Sequence, residues 1–173
     1  MSDTTRIDWS GVFPALTTKF TADDTLDLKL MGKHIDNQLK AGVDGLVVLG
    51  SLGENGSLSF DEKGEVLKLA VSIGRGKVPV LACVAETTTA AACGFVETCM
   101  RNGADGFMLL PPMRYPSDRR ETMQYLRTIA RASDKPIMLY NNPVAYRIDV
   151  TPDMFAELAE EQKFIAIKES SEN

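Results

Sequence analysis

Lys168 closes the apolar run Phe164-Ile-Ala-Ile167, and Tyr140 closes an earlier one, Ile137-Met-Leu139. An amine and a phenol at the ends of buried strands can run carbonyl chemistry. Burial or a neighbouring cation frees a lysine amine of its proton, and the amine then attacks a carbonyl carbon to form a Schiff base. A phenol beside it can carry protons to and from the substrate. Each residue also has a plainer reading. Lys168 could be a solvated lysine paired with Glu169, and Tyr140 a packed side chain whose hydroxyl satisfies a loop carbonyl. Two titratable groups at adjacent strand ends favour chemistry more than either does alone.

The segment Gly50-Ser51-Leu52-Gly53-Glu54-Asn55-Gly56 comes after another apolar run and leads into a helix-like stretch. Its backbone N–H groups could cradle an anion of carboxylate size, although a glycine-rich turn without a ligand has the same appearance. It lacks G-x-G-x-x-G and the Lys-Ser/Thr of a phosphate loop, so it gives little support to a nucleotide site. Thr17-Thr18, Ala85-Glu86, Pro111-Pro112-Met113 and Asn141-Asn142-Pro143 also come directly after apolar runs. Three cysteines (Cys83, Cys93, Cys99) without C-x-x-C and one histidine, His34, cannot build a standard zinc site. His34 lies in a helix-like segment and reads as a surface or packed imidazole, which removes Ser-His-Asp and Cys-His hydrolysis.

Six short apolar runs would position these groups: Val12–Leu16, Gly45–Leu49, Val78–Val84, Gly106–Leu110, Pro136–Tyr140 and Phe164–Ile167. Their starts are 33, 33, 28, 30 and 28 residues apart. They are rich in Val, Ile and Leu and do not alternate with polar residues, as expected of strands buried on both faces. Between them, Leu28, Met31, Ile35 and Leu39 share one helical face, and Val66, Leu69, Ala70 and Ile73 another. Ser59 with Glu62, and Asp118 with Glu121, predict capping boxes; Thr151-Pro152 predicts a cap before an N1 proline. Gly42-Val-Asp-Gly45 and Gly103-Ala-Asp-Gly106 form a weak repeat, 61 residues apart, at two helix-to-strand turns. The resulting βα series predicts an α/β fold with a parallel sheet. It is either an open doubly wound sheet or part of a TIM (β/α)8 barrel. The preferred expectation is about the first six strands of the barrel, as one domain over 1–173 apparently truncated at the C-terminus, since a complete barrel takes about 250 residues.

With Lys+Arg 19 against Asp+Glu 24, the chain carries a net charge of −5 and 44% apolar residues. No basic stripe offers a nucleic-acid surface. No apolar run approaches a membrane span, and the start does not read as a signal peptide. The expectation is a cytoplasmic protein with a small-molecule substrate, and with no nucleic-acid or membrane partner.

Four motifs together are specific: Gly11-Val-Phe-Pro-Ala-Leu-Thr-Thr18, Gly50-Ser-Leu-Gly-Glu54, Tyr140-Asn-Asn-Pro143 and Ile167-Lys-Glu-Ser-Ser171. On them the chain resembles the dihydrodipicolinate synthase / N-acetylneuraminate lyase superfamily of class I Schiff-base enzymes, over essentially its whole length. The resemblance implies a (β/α)8 barrel longer than this chain, a homo-oligomer (usually a homotetramer), and no metal or organic cofactor. It makes Lys168 the Schiff-base lysine and Tyr140 the proton donor and acceptor. The N–H groups of Ser51 and Leu52 would hold the substrate's α-carboxylate.

Three departures bear on the substrate. The second threonine usual in the family's synthases is Leu52. Their relay tyrosine aligns with Met113, with Tyr115 two residues on. The arginine that grips the aldehyde substrate's carboxylate aligns with Ala145, with Arg147 nearby but offset. Each change removes a polar group that carbon cannot replace. The pattern looks most like the 1-pyrroline-4-hydroxy-2-carboxylate deaminases of hydroxyproline catabolism, which release ammonia and 2,5-dioxopentanoate. A dihydrodipicolinate synthase-like or other pyruvate-dependent aldolase is the first alternative. A non-catalytic barrel fragment that binds related chains through an open edge is the second.

Overall fold

A computed structural model describes residues 9–112 and 114–171 of the chain. Five strands, β1 (Leu46–Val48), β2 (Val80–Val84), β3 (Gly106–Leu109), β4 (Ile137–Asn141) and β5 (Phe164–Glu169), alternate with helices. The helices are α1 (Leu28–Lys40), α2 (Phe60–Gly74), α3 (Thr89–Arg101), α4 (Arg119–Ala132), a single turn α5 (Pro143–Tyr146) and α6 (Pro152–Leu158). Every strand pair is parallel and the order is β1-β2-β3-β4-β5. The Val12–Leu16 run lies along the other side of β1 but pairs with it through a single bridge, Ala15 to Val47. Its ladder stays short for two reasons. Pro14 has no N–H to give, and the Val12 N–H goes to the Asp44 carboxylate at 2.7 Å.

A doubly wound sheet reverses its strand order at a switch point. Here each strand adds beside its predecessor, with the Val12–Leu16 segment on the outer side of β1, as in a barrel wall. The two faces bury separate cores. Leu46, Val48, Val80, Ala82, Val84, Phe107, Leu109, Ile137 and Leu139 pack under the helices with Ile35, Val66, Ala70, Phe95, Val96 and Leu126. Val47, Leu81, Cys83, Met108 and Leu110 face the barrel interior, with Met138 and Tyr140 against them. Between β4 and β5 the register shifts: Ile137 pairs with Phe164, but Met138 pairs with Ala166.

Local signals place the helices as the sequence predicts. Ser59 and Glu62 form a reciprocal capping box on α2, and Asp118 and Glu121 another on α4. Thr151 occupies the N-cap position of α6, but its hydroxyl turns to the Asp153 carboxylate rather than to a helix N–H. The repeated turn has a clear role in both copies. Gly42 and Gly103 adopt φ of 81° and 90°, the left-handed conformation that ends a helix cheaply only with glycine. Asp44 then accepts the N–H of Val12, and Asp105 that of Val80 at 2.9 Å.

The interior end opposite the strands' C-termini is filled by aromatic rings from the N-terminal segment. A Cβ on Gly45 would lie 2.0 Å from the Phe13 ring, and one on Gly106 would lie 2.4 Å from the Trp9 indole. Trp9 and Phe13 pack on each other with centroids 6.4 Å apart. His34 is half-buried on α1, and burial together with the Lys19 charge lowers its pKa. Cys83 and Cys99 are buried free thiols, Cys93 is partly buried, and no cluster of metal-ligating side chains occurs among the described residues.

Candidate active site

Tyr140 and Lys168 face each other in register across the β4–β5 pair. Side chains at paired positions of parallel strands point to the same face, and this face is the barrel interior. Lys168 Nζ lies 4.1 Å from the centroid of the Tyr140 ring, well inside cation–π range. Glu169, one position on, belongs to the other face. Its carboxylate accepts the N–H groups of Ser170 and Ser171 and the Asn141 amide, and the Ser171 N–H, foremost among these, lowers its pKa. Among the described residues no ion pair joins Glu169 to Lys168, so the plainer reading of the lysine lacks its partner.

The Tyr140 hydroxyl accepts from the Asn142 side-chain amide at 3.0 Å. The same amide group's oxygen caps α5 by accepting the Ala145 N–H at 3.1 Å. One side chain thus ties the α5 turn to the phenol. The turn swings Tyr146 back over the strand ends, edge-on to Tyr140 with ring centroids 5.6 Å apart. There its hydroxyl meets Ser51 Oγ at 2.8 Å. Asn141 is buried and pins the chain beyond α5 against the strand: its amide donates to Asp149 at 2.9 Å and accepts the Val150 N–H at 3.0 Å.

The phenols are shifted in opposite senses. Burial alone would raise Tyr140. Hydrogen bonds with Ser170 and Asn142, the Lys168 charge and the Tyr146 hydroxyl outweigh it, so Tyr140 sits below the ordinary value of 10.0. Burial raises Tyr146, the hydrogen bond shared with Ser51 opposes this, and nearby Tyr140 and Cys83 reinforce the rise. Cys83, inside the barrel and within electrostatic reach of Lys168, is pushed up by burial.

The loop that brings Ser51 here is held under strain. Leu49 and Glu54 adopt φ of 63° and 56°, conformations costly for residues with a side chain. Gly53 has no room for one, since a Cβ would approach Leu16 O to 2.9 Å. The buried Thr18 hydroxyl anchors the loop by donating to Gly53 O at 2.6 Å. Gly53, Glu54 and Asn55 spend their N–H groups on turn bonds within the loop. Among the described residues, those of Ser51 and Leu52 do not, which leaves them available to an anion. The Leu52 side chain is 65% exposed.

Other residues near the strand ends stand elsewhere. Glu86 pairs with Lys63 of α2 at 2.7 Å, largely buried, in a separate ion pair beside the Phe95 ring. Ala145 and Arg147 are exposed, and Arg147 ends α5 at φ 59°. Met113 lies outside the described residues. Tyr146 is the residue that sequence reasoning passed over. Its signal was present in Asn142-Pro143, a cap and N1 pair that turns the chain directly after a strand.

The pattern of the Dihydrodipicolinate synthetase family matches residues 8–173. A DapA-like lyase of Rhizobium meliloti, itself uncharacterised, is 36% identical over 164 residues, covering 95% of this chain and 54% of that protein. A 4-hydroxy-tetrahydrodipicolinate synthase of Salinibacter ruber is 36% identical over 162 residues, covering 93% and 54%. Among solved structures, the chain is similar to YagE, a prophage protein of the dihydrodipicolinic acid synthase family from E. coli K12 crystallised with pyruvate. That match has a TM-score of 0.91 and 31% identity over 95% of this chain and 56% of that one. Dihydrodipicolinate synthase from Aquifex aeolicus matches at 0.90 and 29%. The chain spans about half the length of these relatives. No relative among them is named as a deaminase. From its strand order to its matched residues, this chain belongs to the Dihydrodipicolinate synthetase family.

Proposed function

We propose that the protein is a Schiff-base-forming lyase or deaminase acting on a small 2-oxo or cyclic imino acid. The observation that carries the reading is the Lys168 amine set 4.1 Å over the Tyr140 ring, at paired positions inside the barrel wall. In this reading Lys168 attacks the substrate's C2, Tyr140 moves protons, and the Ser51 and Leu52 N–H groups hold the α-carboxylate. Family membership and the pyruvate bound by YagE support the same chemistry. Assembly as a homo-oligomer belongs to the same proposal.

The preferred substrate is 1-pyrroline-4-hydroxy-2-carboxylate. Attack on the cyclic imine carbon opens the ring, the 4-hydroxyl leaves as water, and two hydrolyses release ammonia and 2,5-dioxopentanoate, for a net uptake of one water. Support comes from Ala145, which offers no charge to a second carboxylate, and from the exposed aliphatic Leu52. A pyruvate-dependent aldolase or synthase is the second reading, favoured by the names of the relatives. Borohydride reduction in the presence of pyruvate tests the shared step. We expect an adduct on Lys168 by intact and peptide mass, absent from Lys168→Ala, whose turnover falls by several orders of magnitude. Tyr140→Phe keeps the adduct but slows turnover by about 10²–10⁴-fold. Ammonia release from the hydroxylated imine then separates deaminase from aldolase. No adduct on the folded protein would leave only the non-catalytic reading.

A further inference from the structure

The geometry points to Tyr146 as a proton-relay residue that joins Tyr140 to Ser51 and through it to solvent. This assignment rests on the Schiff-base reading and supplies what the aliphatic Met113 cannot. Three observations carry it. The Tyr146 hydroxyl lies 2.8 Å from Ser51 Oγ, across 95 residues of sequence. Its ring stands edge-on to Tyr140 at 5.6 Å, held there by the Asn142 side chain that also binds the Tyr140 hydroxyl. Ser51 is exposed at the loop surface, whereas both phenols are half-buried, so the chain of hydroxyls runs from the interior outwards.

The acidities of the two phenols differ in the sense a relay needs. Tyr140 is lowered and Tyr146 raised, each partly by the other, while Ser51 opposes the rise at Tyr146. Tyr146 is thus the phenol that keeps its proton, beside a more acidic Tyr140, and in its 2.8 Å bond with Ser51 either hydroxyl can donate. When Tyr140 takes a proton from carbon of the Lys168-bound substrate, the hydroxyl protons move in turn. Tyr140 gives up its hydroxyl proton to Tyr146, Tyr146 passes its own to Ser51, and Ser51 releases one to water. One proton leaves the substrate, one reaches solvent, and no bond other than O–H changes along the chain. Lys168 from β5, Cys83 from β2 and the hydroxyl of Ser170 are the other groups acting on the two phenols.

The test is exchange of pyruvate methyl protons for deuterium in D₂O, monitored by NMR beside borohydride trapping, in the full protein. Wild type should show both. Tyr146→Phe should keep the Lys168 adduct, lose exchange by about 10²-fold or more, and move the alkaline side of the exchange profile upward because Tyr140 has lost a hydroxyl that lowers it. Ser51→Ala, which keeps the loop N–H, should give the same split more mildly and guards against misfolding of the first variant. Wild-type exchange and an unmoved profile in Tyr146→Phe would overturn the relay. If wild type forms no adduct, the Schiff-base reading itself fails. Ultraviolet titration of the phenols still decides the relay in that case: Tyr140 must ionise at higher pH in Tyr146→Phe, and an unchanged value overturns it.

Discussion

Tyr140 and Cys99 are displaced in opposite directions by one fold, and the signs give each a different pH window. Tyr140 is lowered despite burial, through Ser170, Asn142, Lys168 and Tyr146. As pH rises towards 10.0 the folded state sheds that proton before the unfolded one does, which adds stability. Burial pushes Cys99 up to about 12, and raises Cys83 and Tyr125 as well. The thiols' contribution is complete below their unfolded value of 9.0 and is lost as pH climbs through the folded values. The raised groups outnumber the lowered one, so the thermal midpoint falls between about pH 9 and 12. Cys99→Ala should flatten that fall, and an unchanged slope in scanning calorimetry would count against the assignment. At this scale the sequence was half legible. Lys168, Tyr140 and Ser51 announce themselves at the ends of apolar runs. Tyr146 is signalled only indirectly, by the Asn142-Pro143 cap and N1 pair; that pair predicts a turn, but where the turn carries the ring is set by packing that no spacing encodes.

The elements were more legible than the residues on them, since burial on both faces leaves a mark that periodicity can read. β1 to β5 fall at the last five of the six runs, and both capping boxes formed. Val12–Leu16 fell short of a strand because Pro14 has no N–H and the Asp44 carboxylate takes that of Val12 from the ladder. The role of strand glycines was hidden, since the rings that need their space come from a distant segment. Gly106→Ala puts a methyl 2.4 Å from the Trp9 ring and 3.0 Å from Pro136 O, and backbone cannot give way as a side chain can. We expect it to cost about 1–3 kcal/mol in urea unfolding, as overpacking does. A loss within error would mean that Trp9 does not fill the interior.

Across the molecule, the wall ends at β5, which has no partner on its outer edge among the described residues. Ile165 and Ile167 are 42% and 54% exposed there. Long apolar edges recruit other strands. The 173-residue polypeptide made alone should therefore associate with rising concentration, and Ile165→Lys with Ile167→Lys should weaken this about tenfold in sedimentation. A monomer at every concentration would show the edge to be protected. A parallel βα fold was legible from six runs and their spacing, but the choice of barrel over doubly wound sheet rested on chain length and resemblance, because periodicity does not say on which side a strand is added.

The register shift between β4 and β5 settles which way the candidate nucleophile faces. Phe164 lies opposite Ile137, and the next matched pair is Ala166 with Met138, so β5 carries one residue more than its neighbour between those rungs. Side chains alternate, so a single extra residue inverts the parity of everything beyond it. Counted evenly from Phe164, position 168 would fall beside Asn141 on the helix side, and Ile167 would stand where the amine now meets Tyr140. The orientation of Lys168 is thus an odd-even property of the strand, decided at Ile165, three residues before the lysine itself.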